Sequence, residues 1–230
     1  MIELLGAALV FVGGHFVLSA HPIRSRMTSV MGQWPFLGIY SIVSLAAFWW
    51  MLSAYGNAPR VELWEPYIAF RHIAISAMPL VCIFLIAGYT SANPTALGFS
   101  VFKGLERGPR GIYRITRHPI LWAIALWSLA HLMANASSAD LILFGSLALL
   151  SVGGTCHLDR RKESELGDEW TAYCSETSNL PFGAVLEGRQ KVVLSEIGIW
   201  RVAAGFVLYF GMLLVHQTVT GVSPLPLPAH

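Results

Sequence analysis

Residues 118–136 read HPILWAIALWSLAHLMANA, and this stretch decides the fold class. From Pro119 to Ala136 it holds no Asp, Glu, Lys or Arg. Its apolar run is continuous rather than alternating, the pattern of an embedded helix and not of a barrel strand. A bilayer core ~30 Å thick takes ~20 mostly apolar residues as helix. Working outward, five further stretches read the same way: Ile2–Ala20, Pro35–Tyr55, Ile68–Tyr89, Leu141–Leu158 and Ile197–Val219. The expectation is an all-α polytopic membrane bundle of six transmembrane helices, one domain over residues 1–230.

Composition agrees. Charged side chains make up 12% of the 230 residues, about half the usual ~25% of soluble proteins. Hydrophobic residues reach 55%, and mean hydropathy is +0.58. A soluble enzyme, a disordered chain and a disulfide scaffold are therefore disfavoured. A net charge of +2 leaves no nucleic-acid footprint. Cys82, Cys156 and Cys174 show neither a CxxC nor a zinc spacing.

The cations orient the bundle. With six spans, loops 21–34, 90–118 and 159–196 share one side and carry twelve of the fifteen basic residues. These are Arg24, Arg26, Lys103, Arg107, Arg110, Arg114, Arg117, Arg160, Arg161, Lys162, Arg189 and Lys191. By the positive-inside rule that side is cytoplasmic, so both termini face out. The first span lacks a basic start and a cleavage site and reads as retained. The Pro-rich SPLPLPAH end reads as an extended tail outside the membrane.

Eight histidines in so apolar a chain are the main chemical signal. His15, His72, His131, His157 and His216 fall within or at the edges of spans, and His21 and His118 sit at the inner boundary. Ionisable residues at membrane depth face a bundle interior or cavity, and imidazole is a common metal ligand. For His21 and His157, interfacial hydrogen bonding is the simpler reading. For His131, a structural hydrogen bond and a ligand role both stand open. At ~1.5 Å per residue His131 is level with His72, whereas His15 and His131 differ in depth by roughly 10 Å. His118 and His131 lie about 220° apart around their helix at ~100° per residue, too far for one compact site.

The segment RGPRGIYRITRHPILW sets Arg114, Arg117 and His118 at a helix start. Free backbone N–H groups there suit a carboxylate or phosphate, and anchoring to lipid phosphate is the plainer reading. After the fifth span comes LDRRKESELGDEWTAYCSETSNLPFGAVLEGRQK, whose first part alternates basic and acidic residues and reads as a short solvated amphipathic helix. SNLPFGAVLEGRQK mixes turn and apolar residues and is expected to dip back against the bundle.

The combination of GGHFVLSAHPIRSRM (13–27), SANPTALG (91–98), GIYRITRHPILWAIALWSLAHLMANA (111–136), LDRRKESELGDEW (158–170) and TSNLPFGAVLEGRQK (177–191) resembles the NnrU family of bacterial membrane proteins. That resemblance implies the bacterial inner membrane and an association with nitric oxide and denitrification physiology. It also implies kinship with the 15-cis-ζ-carotene isomerases, which use haem b to isomerise a cis double bond in a polyene. Their shared features are RITRHP, the later Ala-His and the PFxAxLxGRQK stretch. Carried over, the haem ligands fall on His15 and His131, with His72 a reserve partner for His131. Ser128 stands where those enzymes have a cysteine implicated in a redox-dependent change of iron ligation. Arg117 and His118 would steady the cofactor at its inner end. The implied partners are the lipid bilayer and a lipophilic substrate or redox partner.

A more distant resemblance is to isoprenylcysteine carboxyl methyltransferases, which bind S-adenosylmethionine at the cytoplasmic face. Gly167, Glu169 and Tyr173 fit that pattern, Leu121 and Leu158 depart from it so that Asp159 alone remains of an acidic pair, and the resemblance implies a cytoplasmic pocket lined by Arg117, His118 and Asp159. A non-catalytic assembly or partner subunit is the third reading.

Overall fold

In lipid every backbone N–H and C=O must be satisfied within its own segment, so long apolar stretches become helices. The structure, a computed structural model, describes residues 1–65, 67–94, 105 and 108–225. Its helices are α1 (Ile2–Ser19), α2 (His21–Met31), α3 (Gln33–Asn57), α4 (Ile68–Thr90), α5 (Pro119–Ala134), α6 (Ser138–Leu166), α7 (Asp168–Glu176), α8 (Gly183–Leu186), α9 (Leu194–Ile197) and α10 (Ile199–Thr220). A short 3-10 turn, Gly111–Arg114, precedes α5. Among the described residues the sole β pairing is an isolated bridge between Glu62 and Ser137.

The long helices pack side by side in the order α3, α1, α6, α5, α4, α10. One apolar core joins α1, α3 and α6 through Leu4, Phe11, Met51, Leu143 and Phe144. A second joins α4, α5 and the 3-10 turn through Val81, Phe84, Ile112, Tyr113 and Ala123. Trp127 of α5 packs against both, so α5 is the hinge between the two halves. Two glycines set how close its neighbours come. A Cβ on Gly88 would lie 2.7 Å from Ile120 of α5, and one on Gly205 would lie 2.7 Å from Ile83 of α4. Small residues at such crossings let helix backbones approach in a membrane, where dispersion rather than the hydrophobic effect holds helices together.

Five helices, α1, α3, α4, α6 and α10, are long and apolar enough to cross a membrane. The sixth expected span, Pro119–Ala136, is shorter: α5 has 16 residues, about 24 Å of rise. Asn135 caps it with an extended backbone. The exposed side chains of α10, among them Val207, Phe210, Leu214 and Val219, form an apolar face suited to lipid.

The sequence expectation needs correction beyond the fifth span. The first part of the charged stretch is not a separate helix: α6 runs unbroken to Leu166, and Arg161 and Lys162 are buried, each within 4 Å of Glu165. The short, largely exposed amphipathic helix is α7, which buries only Trp170 and Tyr173. Gly167, at φ 56°, ends the helix. Residues 178–190 do return to the bundle. The Phe182 N–H donates to the Ile115 carbonyl, the Arg117 N–H donates to the Ser178 carbonyl, and Ala184 is fully buried. At the C-terminal end of α10, Val222, Ser223 and Pro224 line a cavity, while residues 226–230 of the expected extended tail lie outside the described residues. Lys103, Arg107 and residues 95–98 of SANPTALG lie outside the described residues.

Candidate functional site

The cavity, about 300 Å³, opens between α4, α5 and α10 at the end where residues 222–224 fold back. Three helical stripes build it. Arg71, Ile75, Met78 and Cys82 recur at three- and four-residue spacing on α4, as do Ala123, Trp127 and His131 on α5 and Tyr209, Met212 and His216 on α10. Pro79, inside α4, removes the N–H that would bond the Ile75 carbonyl, so the α4 backbone is irregular beside the cavity. The walls are almost wholly apolar. Their polar exceptions are Arg71, His131, Asn135, Tyr209, His216 and Ser223.

His131 is the chemical centre of this space. Its Nδ1 lies 2.8 Å from the Trp127 carbonyl oxygen. A carbonyl only accepts, so Nδ1 carries the proton and Nε2 keeps a free lone pair. Trp127 and Phe144 pack against the imidazole at ring-centroid distances of 4.5 and 5.3 Å and touch each other at 5.3 Å. His216 stands on the facing stripe, 6.4 Å away by ring centroids and 31° from parallel. Its Nδ1 is held in the same way, 2.9 Å from the Val222 carbonyl oxygen, which again leaves Nε2 as the bare nitrogen. Neither Nε2 has a hydrogen-bond partner among the described residues.

The other sequence-predicted residues are placed elsewhere. His15 bonds through Nδ1 to the Phe11 carbonyl at 2.7 Å and packs edge-on to Phe11 and Tyr40. No hydrogen bond, ring contact or shared cavity joins it to His131 among the described residues. Depth explains why. The neighbour of His15, Phe16, lies against Gly153 of α6, whereas His131 packs on Phe144. Those two α6 positions are nine residues apart, or about 13 Å of helix rise. His72 is exposed on α4, off the stripe that faces the cavity.

Arg117 and His118 belong to a separate polar cluster at the opposite end of α5. Arg117 forks onto Asp159 at 2.9 and 2.7 Å. The His118 Nε2 meets the same carboxylate at 2.7 Å, and Asn179 donates to it at 3.0 Å. Burial pushes the His118 imidazole below the ordinary histidine range, although Asp159 works against this. A carboxylate oxygen accepts, so the His118 Nε2–H donates to Asp159. The carboxylate thus uses both side chains to pin the 178–190 return to the start of α5. Beside it Arg114 forks onto Glu196 at 2.7 and 3.0 Å, and these bonds, with one from the Gly111 N–H, hold the Glu196 carboxyl down to about 2.

Two residues of the cavity were missed from sequence, His216 and Arg71. His216 was legible only as one of the histidines within or at the edges of spans. What sequence lacked was the knowledge that α10 packs on α4, which the close approach at Gly205 creates.

Comparison with known proteins agrees with this picture at the level of family. The 15-cis-zeta-carotene isomerase of Zea mays is 35% identical over 82 residues, which is 36% of this chain and 22% of that protein. The Arabidopsis thaliana protein of the same name is 37% identical over 84 residues, 35% of this chain and 22% of its own length. The chain thus matches under a quarter of each relative's length. No solved structure matches. The family described as NnrU protein matches residues 3–224, and with nearly the whole described bundle inside that match, the chain belongs to the NnrU family.

Proposed function

We propose that this chain is a bacterial inner-membrane protein that takes a lipophilic polyene into the cavity between α4, α5 and α10 and isomerises a cis double bond there, with haem b held through His131. The carrying observation is the His131 imidazole, set in an apolar cavity with Nδ1 anchored and Nε2 free. Kinship with proteins named 15-cis-zeta-carotene isomerase supports the substrate class.

The residues present fit the cofactor at His131. An anchored Nδ1–H fixes the ring and raises the basicity of the metal-facing nitrogen, and Trp127 and Phe144, themselves in contact, pack together against the ring. The cavity volume is at the low end for a ligand site, and its open side gives a macrocycle edge or a polyene tail an exit into lipid. Haem iron, when bound, supplies a redox-switchable centre that exchanges electron density with a conjugated chain. The protein's own part is positional. Met78, Leu85, Met212 and Leu213 offer adaptable apolar contact to an extended chain. The same walls keep water from the reacting double bond. Isomerisation moves no atoms between molecules and leaves the electron count unchanged, so a dry cavity without a general acid–base pair suffices.

The bundle crosses the membrane six times in this reading, with α5 as the short crossing and both termini on the outer side. Arg117 and His118 act there as structural anchors of the inner face, not as cofactor ligands.

The test is a 15-cis polyene presented in detergent to purified protein loaded with haem, the isomers then resolved by chromatography. Wild-type protein is expected to convert the cis isomer under reducing conditions and His131→Ala to convert it no faster than buffer. Equal conversion by the two proteins would overturn the reading.

A further inference from the structure

We propose that the second imidazole on the iron in this chain is His216, not His15. The proposal rests on the haem reading above and adds the ligand pair. Four observations lead to it. First, His131 and His216 line one cavity with ring centroids 6.4 Å apart. Two imidazoles that share one metal ion at ~2 Å bonds stand with ring centres ~6 Å apart. Second, both rings give their Nδ1 proton to a backbone carbonyl, Trp127 for one and Val222 for the other, so each keeps Nε2 for a metal.

Third, the cavity offers a pair of imidazoles, with sulfur from Met78, Cys82 and Met212 in its walls, and, among the described residues, no charged metal-binding cluster. Among the described residues no group of three His, Cys, Asp or Glu side chains converges anywhere. A bare divalent ion would need a third or fourth protein donor. A pair of imidazoles with apolar surroundings suits a metal that brings its own equatorial nitrogens, which is a metalloporphyrin. Fourth, Arg71 lines the same cavity and has no ion-pair or hydrogen-bond partner among the described residues. A cation in that position matches the carboxylates at a porphyrin edge. His15 meets the second condition alone. Its Nδ1 is anchored, but it shares no cavity with His131 and lies about two turns of helix deeper.

The experiment uses the full chain in detergent, titrated with hemin and followed by visible absorption and by electron paramagnetic resonance of the ferric form. Wild type is expected to take up one hemin as a low-spin, six-coordinate complex. His216→Ala should shift to a high-spin spectrum that free imidazole returns to low spin. His15→Ala should keep the wild-type spectrum. His216→Met, which keeps apolar bulk and offers sulfur, covers the case in which the alanine variant does not fold, and it should stay six-coordinate with an altered low-spin spectrum. A high-spin His15→Ala beside an unchanged His216→Ala would overturn the assignment while leaving haem binding intact. A wild type that takes up no hemin would overturn the haem reading and this pair with it.

Discussion

Asp159 shows how much one side chain carries in this chain. Its carboxylate accepts from Arg117, His118 and Asn179 at once, which joins α5, α6 and the return segment at one point. Asp159→Asn leaves a buried guanidinium without its counter-charge. The expected loss is about 3 kcal/mol, the low end for breaking a buried pair, because 18% of the Asp159 side chain remains accessible. Thermal unfolding in detergent checks it, and a change below the scatter between preparations would contradict the role. Glu196 gives the pH prediction. Its folded-state carboxyl titrates at about 2 against an ordinary 4.5, held by Arg114 and the Gly111 N–H. A depressed carboxyl stabilises the fold above the unfolded value and loses that contribution as pH falls through the folded one. Stability should therefore decline between pH 4.5 and 2, and Glu196→Gln should flatten this part of the pH profile.

At the scale of elements, the α4–α10 crossing decides whether His216 reaches the cavity. Gly205→Ala places a Cβ 2.7 Å from the Ile83 Cγ1 and 3.0 Å from its backbone. The helices must separate, at a cost of about 1–3 kcal/mol, and His216 moves away from His131 with them. The expected result is a lower melting temperature together with weaker hemin uptake, both read on one preparation, while Gly211→Ala, with open space around it, changes neither. This crossing also marks where sequence reading ended. Apolar run length placed α1, α3, α4 and α10 to within two residues at each end, because run length is what the bilayer selects. It placed the start of α6 three residues late, missing the Ser137–Asp140 capping box. It ended α6 eight residues early, because Asp159–Glu165 looks like solvated charge, whereas Arg161 and Lys162 are buried against the bundle. His131 was legible as a histidine deep in a span. Its partner was not, since helix adjacency depends on small-residue contacts such as Gly205 with Ile83 that no periodicity encodes.

For the whole molecule the number of crossings is the open architectural quantity. Five helices meet the length and hydropathy of a span, and α5 is short by a turn or more. The sixfold bundle proposed here predicts that reporters fused at the N-terminus and after residue 225 are accessible from the same, outer side of intact cells. Opposite sides would mean that α5 does not cross. A short crossing is physically affordable, because α4 and α6 flank α5 on both sides and leave little of it to the lipid.

The central claim is that the cavity of His131 and His216 is where a lipophilic molecule goes, and cross-linking reads this directly. A polyene analogue carrying a photoreactive diazirine, activated on the purified protein and mapped by mass spectrometry, should mark Met78, Met212 and Leu213, and excess unlabelled cis polyene should erase those adducts. Adducts spread over outward-facing residues such as Leu9, Leu149 and Leu214, with no effect of competitor, would contradict the account.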